Sequence, residues 1–390
     1  MEWITRPLGE ITSYMAKGIP PKYTEEETEN TVRVLNQKCN RNFTISYADS
    51  RIHDCTQKKV PSDKLLKKGD VLINSTGTGT AGRVAQMMEI PIPTTIDGHM
   101  ILLRPSKEMD EFYYGYAVKA HQAQIETLAE GSTGQTEINR NRLQTEVMIT
   151  YPENKKVQAG IASFLWDIDR KIEANNKINE NLQQQALALF ANYYEQSNTE
   201  VAFTDLIQIL GGGTPKTGES KYWNGNIPFF TPKDVGSPYT LATEKTITED
   251  GLSHCNSRLY PANTVFVTAR GTVGKIGLAG VPMAMNQSCY ALAGKNLHQL
   301  LVYFYTLKAV DRLKHKASGA VFDAIITRDF ETEQVFKLSE DDTNTFIKIA
   351  EPMYQSILNN SVENQRLVAL RDSLLPKLMS GEIDVSGISI

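Results

Sequence analysis

The stretch 155-KKVQAGIASFLWDIDRKIEANNKINENLQQQALALFANYY-194 and its echo, 341-DDTNTFIKIAEPMYQSILNNSVENQRLVALRDSLLPKLM-379, decide how this chain folds. In the first, Ile161, Leu165, Ile168, Ile172, Asn175, Asn179, Leu182, Ala186 and Leu189 alternate steps of four and three, the spacing of a coiled-coil seam. In the second, Phe346, Ala350, Met353, Ile357, Asn360, Asn364, Leu367, Arg371, Leu374 and Leu378 repeat it. An Asn at a seam costs stability but fixes alignment and partner number, so Asn175, Asn179, Asn360 and Asn364 read as register pins. Two amphipathic helices lying separately on their own domains have the same period, but the matched Asn placement argues against that arrangement. The pair is expected to be antiparallel, because the first helix runs out from domain one to domain two and the second must return.

What precedes each helix also repeats. Leu8-Gly9-Glu10-Ile11 with Gly18-Ile19-Pro20 answers Phe203-Thr204-Asp205-Leu206 with Gly213-Thr214-Pro215. Gly79-Thr80-Ala81-Gly82-Arg83-Val84 answers Gly271-Thr272-Val273-Gly274-Lys275-Ile276, and Ser132-Thr133-Gly134 followed by Ile138 answers Ser318-Gly319 followed by Ile325. A period this long means duplicated domains, since solenoid repeats run roughly 20 to 50 residues. The expected class is mixed α/β (α+β): two similar globular domains, each a twisted mixed sheet with a few helices, joined by two long antiparallel coiled-coil helices.

The totals narrow the function classes. A chain of 390 residues suits two domains plus helical spacers. Formal net charge is −4, so no global basic field draws the chain to polyanions, and any nucleic-acid contact must come from local clusters or a basic partner. The start Met1-Glu2-Trp3-Ile4-Thr5-Arg6 has no signal-peptide pattern and no stretch approaches the roughly 18 to 20 apolar residues of a membrane span. A soluble, cytoplasmic protein is expected. Cys39, Cys55, Cys255 and Cys289 form no C-x-x-C pair and suit reduced thiols. His53 near Cys55 and His254 beside Cys255 lack a second ligand pair, so no metal site is expected.

Signs of chemistry are missing where they would be sought. Gly77-Thr78-Gly79-Thr80-Ala81-Gly82 fits G-x-G-x-x-G and follows the strand-like Val71-Leu72-Ile73, with Asp97 about 20 residues on. A dinucleotide loop must open a helix, yet Pro91 and Pro93 follow within three turns and Arg83-Val84-Ala85 reads as a returning strand. A Walker A loop fails too, with Arg83 and Val84 where Lys and Ser/Thr are needed. Paired carboxylates, G-x-S-x-G, H-E-x-x-H, a kinase set and the Asn-Pro-Pro-Tyr or Asp-Pro-Pro-Tyr tetrapeptide of amino-methyltransferases are all absent. No catalytic, cofactor-binding or metal-binding residue is expected in this chain.

Recognition remains. The loops near the glycine turns carry side chains suited to base edges and phosphates: Asn74, Ser75, Thr76, Thr78 and Arg83 in the first half, Thr268, Arg270, Thr272 and Lys275 in the second. Asn36, Gln37, Lys38 and Arg41 join the first set, and Lys216, Lys221, Lys233, Asn286 and Gln287 the second. Singly, each reads first as an ordinary solvated loop residue; together they are expected to make a footprint on DNA. About 35 helical residues span roughly 50 Å, enough to place two domains on half-sites about 34 to 36 Å apart.

Several segments carry a family resemblance: Leu206-Ile207-Gln208-Ile209-Leu210-Gly211-Gly212-Gly213-Thr214-Pro215 with Tyr222-Trp223-Asn224-Gly225-Asn226-Ile227-Pro228-Phe229, then Arg270 to Lys275, then Asn286-Gln287-Ser288, and the close Leu370 to Ile383 with its Ser380-Gly381-Glu382. On these the chain resembles a specificity subunit of a type I restriction-modification system from Trp3 to about Asp384. Lys17-Gly18-Ile19-Pro20-Pro21 departs from the Gly-Gly-Thr-Pro form of the second half. The resemblance implies a target recognition domain over 1–150, a helical spacer over 151–197, a second recognition domain over 198–338, a second spacer over 339–384 and a tail over 385–390. It implies a non-catalytic subunit that reads a split, asymmetric site on double-stranded DNA. Its helices, related by a pseudo-two-fold axis, would dock two adenine-N6 methyltransferase subunits, and restriction/translocase subunits would join. S-adenosylmethionine, ATP and Mg belong to those partners. Two other readings compete: a coiled-coil adaptor with two protein-binding domains, whose binding would ignore salt, and an oxidoreductase using Gly77 to Gly82, which would bind a nucleotide cofactor.

Overall fold

A computed structural model describes residues 2–131, 136–236, 238–316 and 324–383. The matched Ser132-Thr133-Gly134 and Ser318-Gly319 blocks and the tail 385–390 lie outside the described residues. The chain divides into two compact units, Met1–Arg170 with Leu367–Ile390, and Lys171–Arg366.

The two units share a core strand order, the first with two four-stranded sheets and the second with a five-stranded and a three-stranded one. In the first, Thr12–Lys17, Met100–Pro105, Val71–Asn74 and Val84–Gln86 lie side by side in that order, and Thr94–Ile96, Thr31–Leu35, Arg51–Asp54 and Tyr23–Thr24 form a second sheet. In the second, the order is Ile207–Gly211, Cys289–Gly294, Val265–Thr268, Ile276–Ala279 and Tyr239–Thr240, with Lys245–Ile247, Trp223–Phe230 and Ala284–Met285 as the second sheet. Even the parallel pairing at the edge of the second sheet recurs, Thr94–Ile96 on Thr31–Leu35 and Ala284–Met285 on Trp223–Phe230. An antiparallel pair closes each unit, Trp3–Pro7 with Met148–Pro152 and Glu200–Ala202 with Gln334–Phe336.

One sequence match shifts by a residue. The Ile19 N–H donates to the Ile96 carbonyl and the Gly213 N–H to that of Met285, so Ile19, not Gly18, corresponds to Gly213. The position before it demands glycine in both units. A Cβ on Gly18 would lie 2.1 Å from the carbonyl oxygens of Ile96 and Asp97, and one on Gly212 would lie 2.2 Å from that of Asn286. Backbone cannot yield as a side-chain tip can, so Gly212→Ala is expected to cost about 2 kcal/mol, measured as the shift in a urea unfolding midpoint.

The long helices span Lys155–Gln196 and Glu340–Ser380. Asn154 caps the first by accepting the Lys156 N–H at 2.9 Å, and Ser339 caps the second by accepting that of Asp342 at 3.1 Å. Gly381, in the left-handed region at φ 77°, ends the second. The helices run antiparallel. In the second unit Asn175 donates to Asn364 at 2.9 Å and to Glu363 at 2.7 Å, while Asn360 donates to Asn179 at 2.8 Å. Asn175 and Asn179 are buried, so these amide bonds satisfy groups that water cannot reach. In the first unit the Arg371 guanidinium meets Asp169 at 2.6 Å, and Asp169 also accepts the Tyr116 hydroxyl at 2.6 Å.

The helix ends do more than the coiled-coil reading foresees. Ile161, Leu165, Leu375, Leu378 and Met379 enter the core of the first unit, together with Val71, Ile101 and Tyr113. Ala186, Phe190, Tyr194, Phe346, Ala350 and Ile357 enter that of the second, with Leu182, Leu189 and Met353 packed against it. Helix-on-helix and helix-on-domain packing therefore coexist along one stripe. Ile168 is buried, whereas Ile172, Leu367 and Leu374 are half-buried.

Candidate nucleic-acid interface

The glycine-rich segment of the first unit returns directly into a strand. Val71–Asn74 and Val84–Gln86 pair antiparallel, the Gly82 N–H donates to the Asn74 carbonyl, and the Asn74 N–H donates to that of Arg83. Gly77, Gly79 and Gly82 all take positive φ, the conformation a tight turn requires. No helix opens there to receive a pyrophosphate. The second unit repeats the closure, Gly274 N–H to Thr268 and Thr268 N–H to Lys275.

Neighbouring segments converge on each turn through the same backbone bonds. Ser75 N–H donates to His99 and Ile138 N–H to Ser75; correspondingly, Ala269 N–H donates to Ser288 and Ile325 N–H to Ala269. Asp97 N–H donates to Leu35, as Asn286 N–H does to Phe230. These bonds place Thr76 opposite Glu137 and Arg270 opposite Ala324 in matching bridges. The frame is one; the side chains on it are two sets.

In the first unit Thr76 Oγ1 lies 2.9 Å from His99 Nδ1 and donates to Gln37 Oε1 at 3.3 Å. Lys17 pairs with Glu137 beside them. Burial raises the Asp97 carboxyl pKa from its ordinary value, and the His99 N–H it accepts opposes that shift. In the second unit Thr214 donates to Gln287. Arg270 is exposed and makes no ion pair among the described residues.

The structure sorts the expected contact residues. Thr78, Lys38, Arg41, Lys216, Thr272, Lys275 and Gln287 are exposed, and Thr76 and Arg83 half-buried. Lys221 is paired with Asp250 at 3.3 Å and Lys233 with Glu244 at 3.8 Å. Asn74 and Thr268 are corrections: both are fully buried. Asn74 accepts from Asn40 and donates to the Gln37 carbonyl, and Thr268 donates to the Thr272 carbonyl while accepting the Lys275 N–H. Short polar side chains at turns readily bond the local backbone, and here they hold the loop instead of facing a ligand. Asn36 similarly caps Lys38 N–H and donates to Asp49, and Asn286 accepts the Ser288 N–H.

The sequence reading missed His99, which no motif marks, and Lys119, hidden in the apolar helix Glu111–Ala120. His53 spends both ring nitrogens on backbone, accepting Lys22 N–H at 2.8 Å and donating to the Lys58 carbonyl at 2.7 Å. Among the described residues no group of three or more His, Cys, Asp or Glu is placed to hold a metal ion, and no helix is long and apolar enough to cross a membrane.

Comparison with known proteins fits this duplicated frame. The family described as "Type I restriction modification DNA specificity domain" matches residues 1–184 and again 196–336. The MjaIX specificity subunit of Methanocaldococcus jannaschii is 32% identical over 124 residues, which is 30% of this chain and 29% of that one. The HindI specificity subunit of Haemophilus influenzae is 21% identical over 98% of this chain and 100% of its own. A crystal structure of a type I restriction-modification S subunit from M. genitalium aligns over 99% of this chain and 97% of that one, with a TM-score of 0.60 at 17% identity. At that identity the likeness is one of fold.

Proposed function

We propose a function from one premise: the chain belongs to the family of type I restriction-modification DNA specificity domains and carries two of them. Each unit reads one half of a split, asymmetric site on double-stranded DNA. The long helices dock two adenine-N6 methyltransferase subunits, and through them the restriction/translocase subunits. The chain supplies recognition; S-adenosylmethionine, ATP and Mg act in the partners.

The observation that carries this reading is the repeated backbone frame with unlike side chains at corresponding positions, Thr76 in one unit and Arg270 in the other. Arg offers paired donors suited to guanine O6 and N7, whereas a Thr hydroxyl with a neighbouring Gln amide suits other base edges. Unlike sets on like frames read unlike halves. Selection of randomised duplexes by the full chain tests it. Enrichment of two unlike short blocks separated by unread bases is expected, with affinity falling steeply as salt rises. Salt-insensitive binding, or no enriched sequence, would contradict it.

Docking finds support in the large apolar side chains left exposed on the helices, among them Phe164, Ile178, Leu187, Ile349 and Leu370. Ile178→Asp with Leu187→Asp is therefore expected to abolish co-purification with the methyltransferase while leaving the melting temperature within about 3 °C, since exposed positions contribute little to stability.

A further inference from the structure

Beside the glycine turn of the first unit lies a recess lined by Arg41, Phe43, Arg83, Lys119 and Gln122. Its three cations come from three separate segments. Arg41 stands on the hairpin Asn40–Arg41 with Thr44–Ile45, Arg83 follows the glycine turn, and Lys119 ends the helix Glu111–Ala120. None forms an ion pair among the described residues; Arg83 donates to the Gly79 carbonyl and Lys119 to Gln122 Oε1. Burial, and next the charge of Arg371, lower the Lys119 ammonium pKa from its ordinary value, while Asp372, Glu126 and Asp169 oppose this more weakly. A partly desolvated ammonium without a carboxylate partner is stabilised by an incoming anion.

The rim is held under strain. Asn42 and Phe43 take φ of 53° and 65° in succession, unusual for residues with a Cβ. Phe43 is buried with its ring 5.1 Å from that of Tyr116, which pins the turn and leaves Arg41 and Asn42 exposed. Strain retained in this way clusters at functional sites.

The second unit builds a counterpart. Lys275 follows its glycine turn as Arg83 follows the first, and the Lys314 stem crosses the turn, 2.6 Å from where a Gly274 Cβ would stand. Both lysines are exposed and, among the described residues, neither is ion-paired. Arg and Lys only donate, and a phosphate, which only accepts, can take donors from several cations of separate segments at once.

We propose that the recess of the first unit and the Lys275–Lys314 pair of the second each seat a phosphodiester group of bound DNA, holding the duplex in register without reading its sequence. This rests on the DNA-reading function proposed above. The test is equilibrium binding of the full chain to its selected duplex over a salt series. Arg83→Gln with Lys119→Met, and separately Lys275→Gln with Lys314→Gln, are each expected to make the negative slope of log affinity against log salt shallower by about one and to weaken binding about tenfold near 0.1 M salt. Base preference at both half-sites stays as in the wild type, and Arg83→Lys with Lys119→Arg keeps the slope. If the Lys119 change costs the fold, Arg41→Gln with Arg83→Gln carries the same test from more accessible positions. An unchanged slope, or an altered base preference at either half-site, overturns the proposal. Failure of the wild-type chain to bind DNA instead overturns the function on which it rests.

Discussion

Exchange of residues 1–150 for the same segment of another family member is expected to change one half of the recognised DNA sequence and leave the other half as it was. The frame bonds that position the loops, from Ser75 to His99 and from Ala269 to Ser288, stay within their own units, and each unit has its own apolar core. The exchanged segment must still meet the helix pair, because Gln158 accepts the Asp110 N–H at 2.7 Å and Tyr116 donates to Asp169. A donor segment preserving an N–H at the first position and a hydroxyl at the second keeps the junction. Sequencing of duplexes selected by the hybrid gives the answer; a change in both halves would contradict modular reading.

Phe190→Ala is expected to cost about 4 kcal/mol, lowering the melting temperature by about 10 °C for a unit of this size. Phe190 is 1% exposed, and its ring lies 5.1 Å from Phe304 and 5.5 Å from each of Tyr194, Tyr305 and Phe346. Five rings from both long helices and the helix Gln299–Lys316 thus meet at one point. Truncation leaves a void that rigid neighbours cannot close. Calorimetry of the full chain, read together with the helix signal in circular dichroism, checks the size of the loss; a shift of less than about 3 °C would show that the helix end is not part of the core.

Much of the architecture was legible because it depends on spacing alone. The four-and-three rhythm with paired Asn positions marked both long helices, and Asn175 does meet Asn364 as Asn360 meets Asn179. Arg83-Val84-Ala85, read as a returning strand, identified the glycine segment as a turn, and the backbone bonds of Ile138 and Ile325 occupy matching places. What spacing does not encode is the partner of an apolar stripe. Leu165 and Phe346 fit a helical seam, yet they also pack into sheet-bearing cores, since a seam and a docking face share a period.

The site was legible only as a neighbourhood. Asn74 and Arg83 look equally available in sequence, but one is buried to hold the loop and the other lines a basic recess. Gly-x-Pro spelling pairs Gly18 with Gly213, whereas the close passage over the Asp97 and Asn286 carbonyls pairs Gly18 with Gly212. Lys119 escaped notice because its helix is apolar around it, and only folding brings Arg41 and Arg83 alongside.

The most direct measurement is genome-wide mapping of N6-methyladenine in otherwise identical cells with and without this gene. Deletion is expected to erase methylation at a single bipartite, asymmetric motif and to leave every other motif untouched. An unchanged methylation map would contradict it.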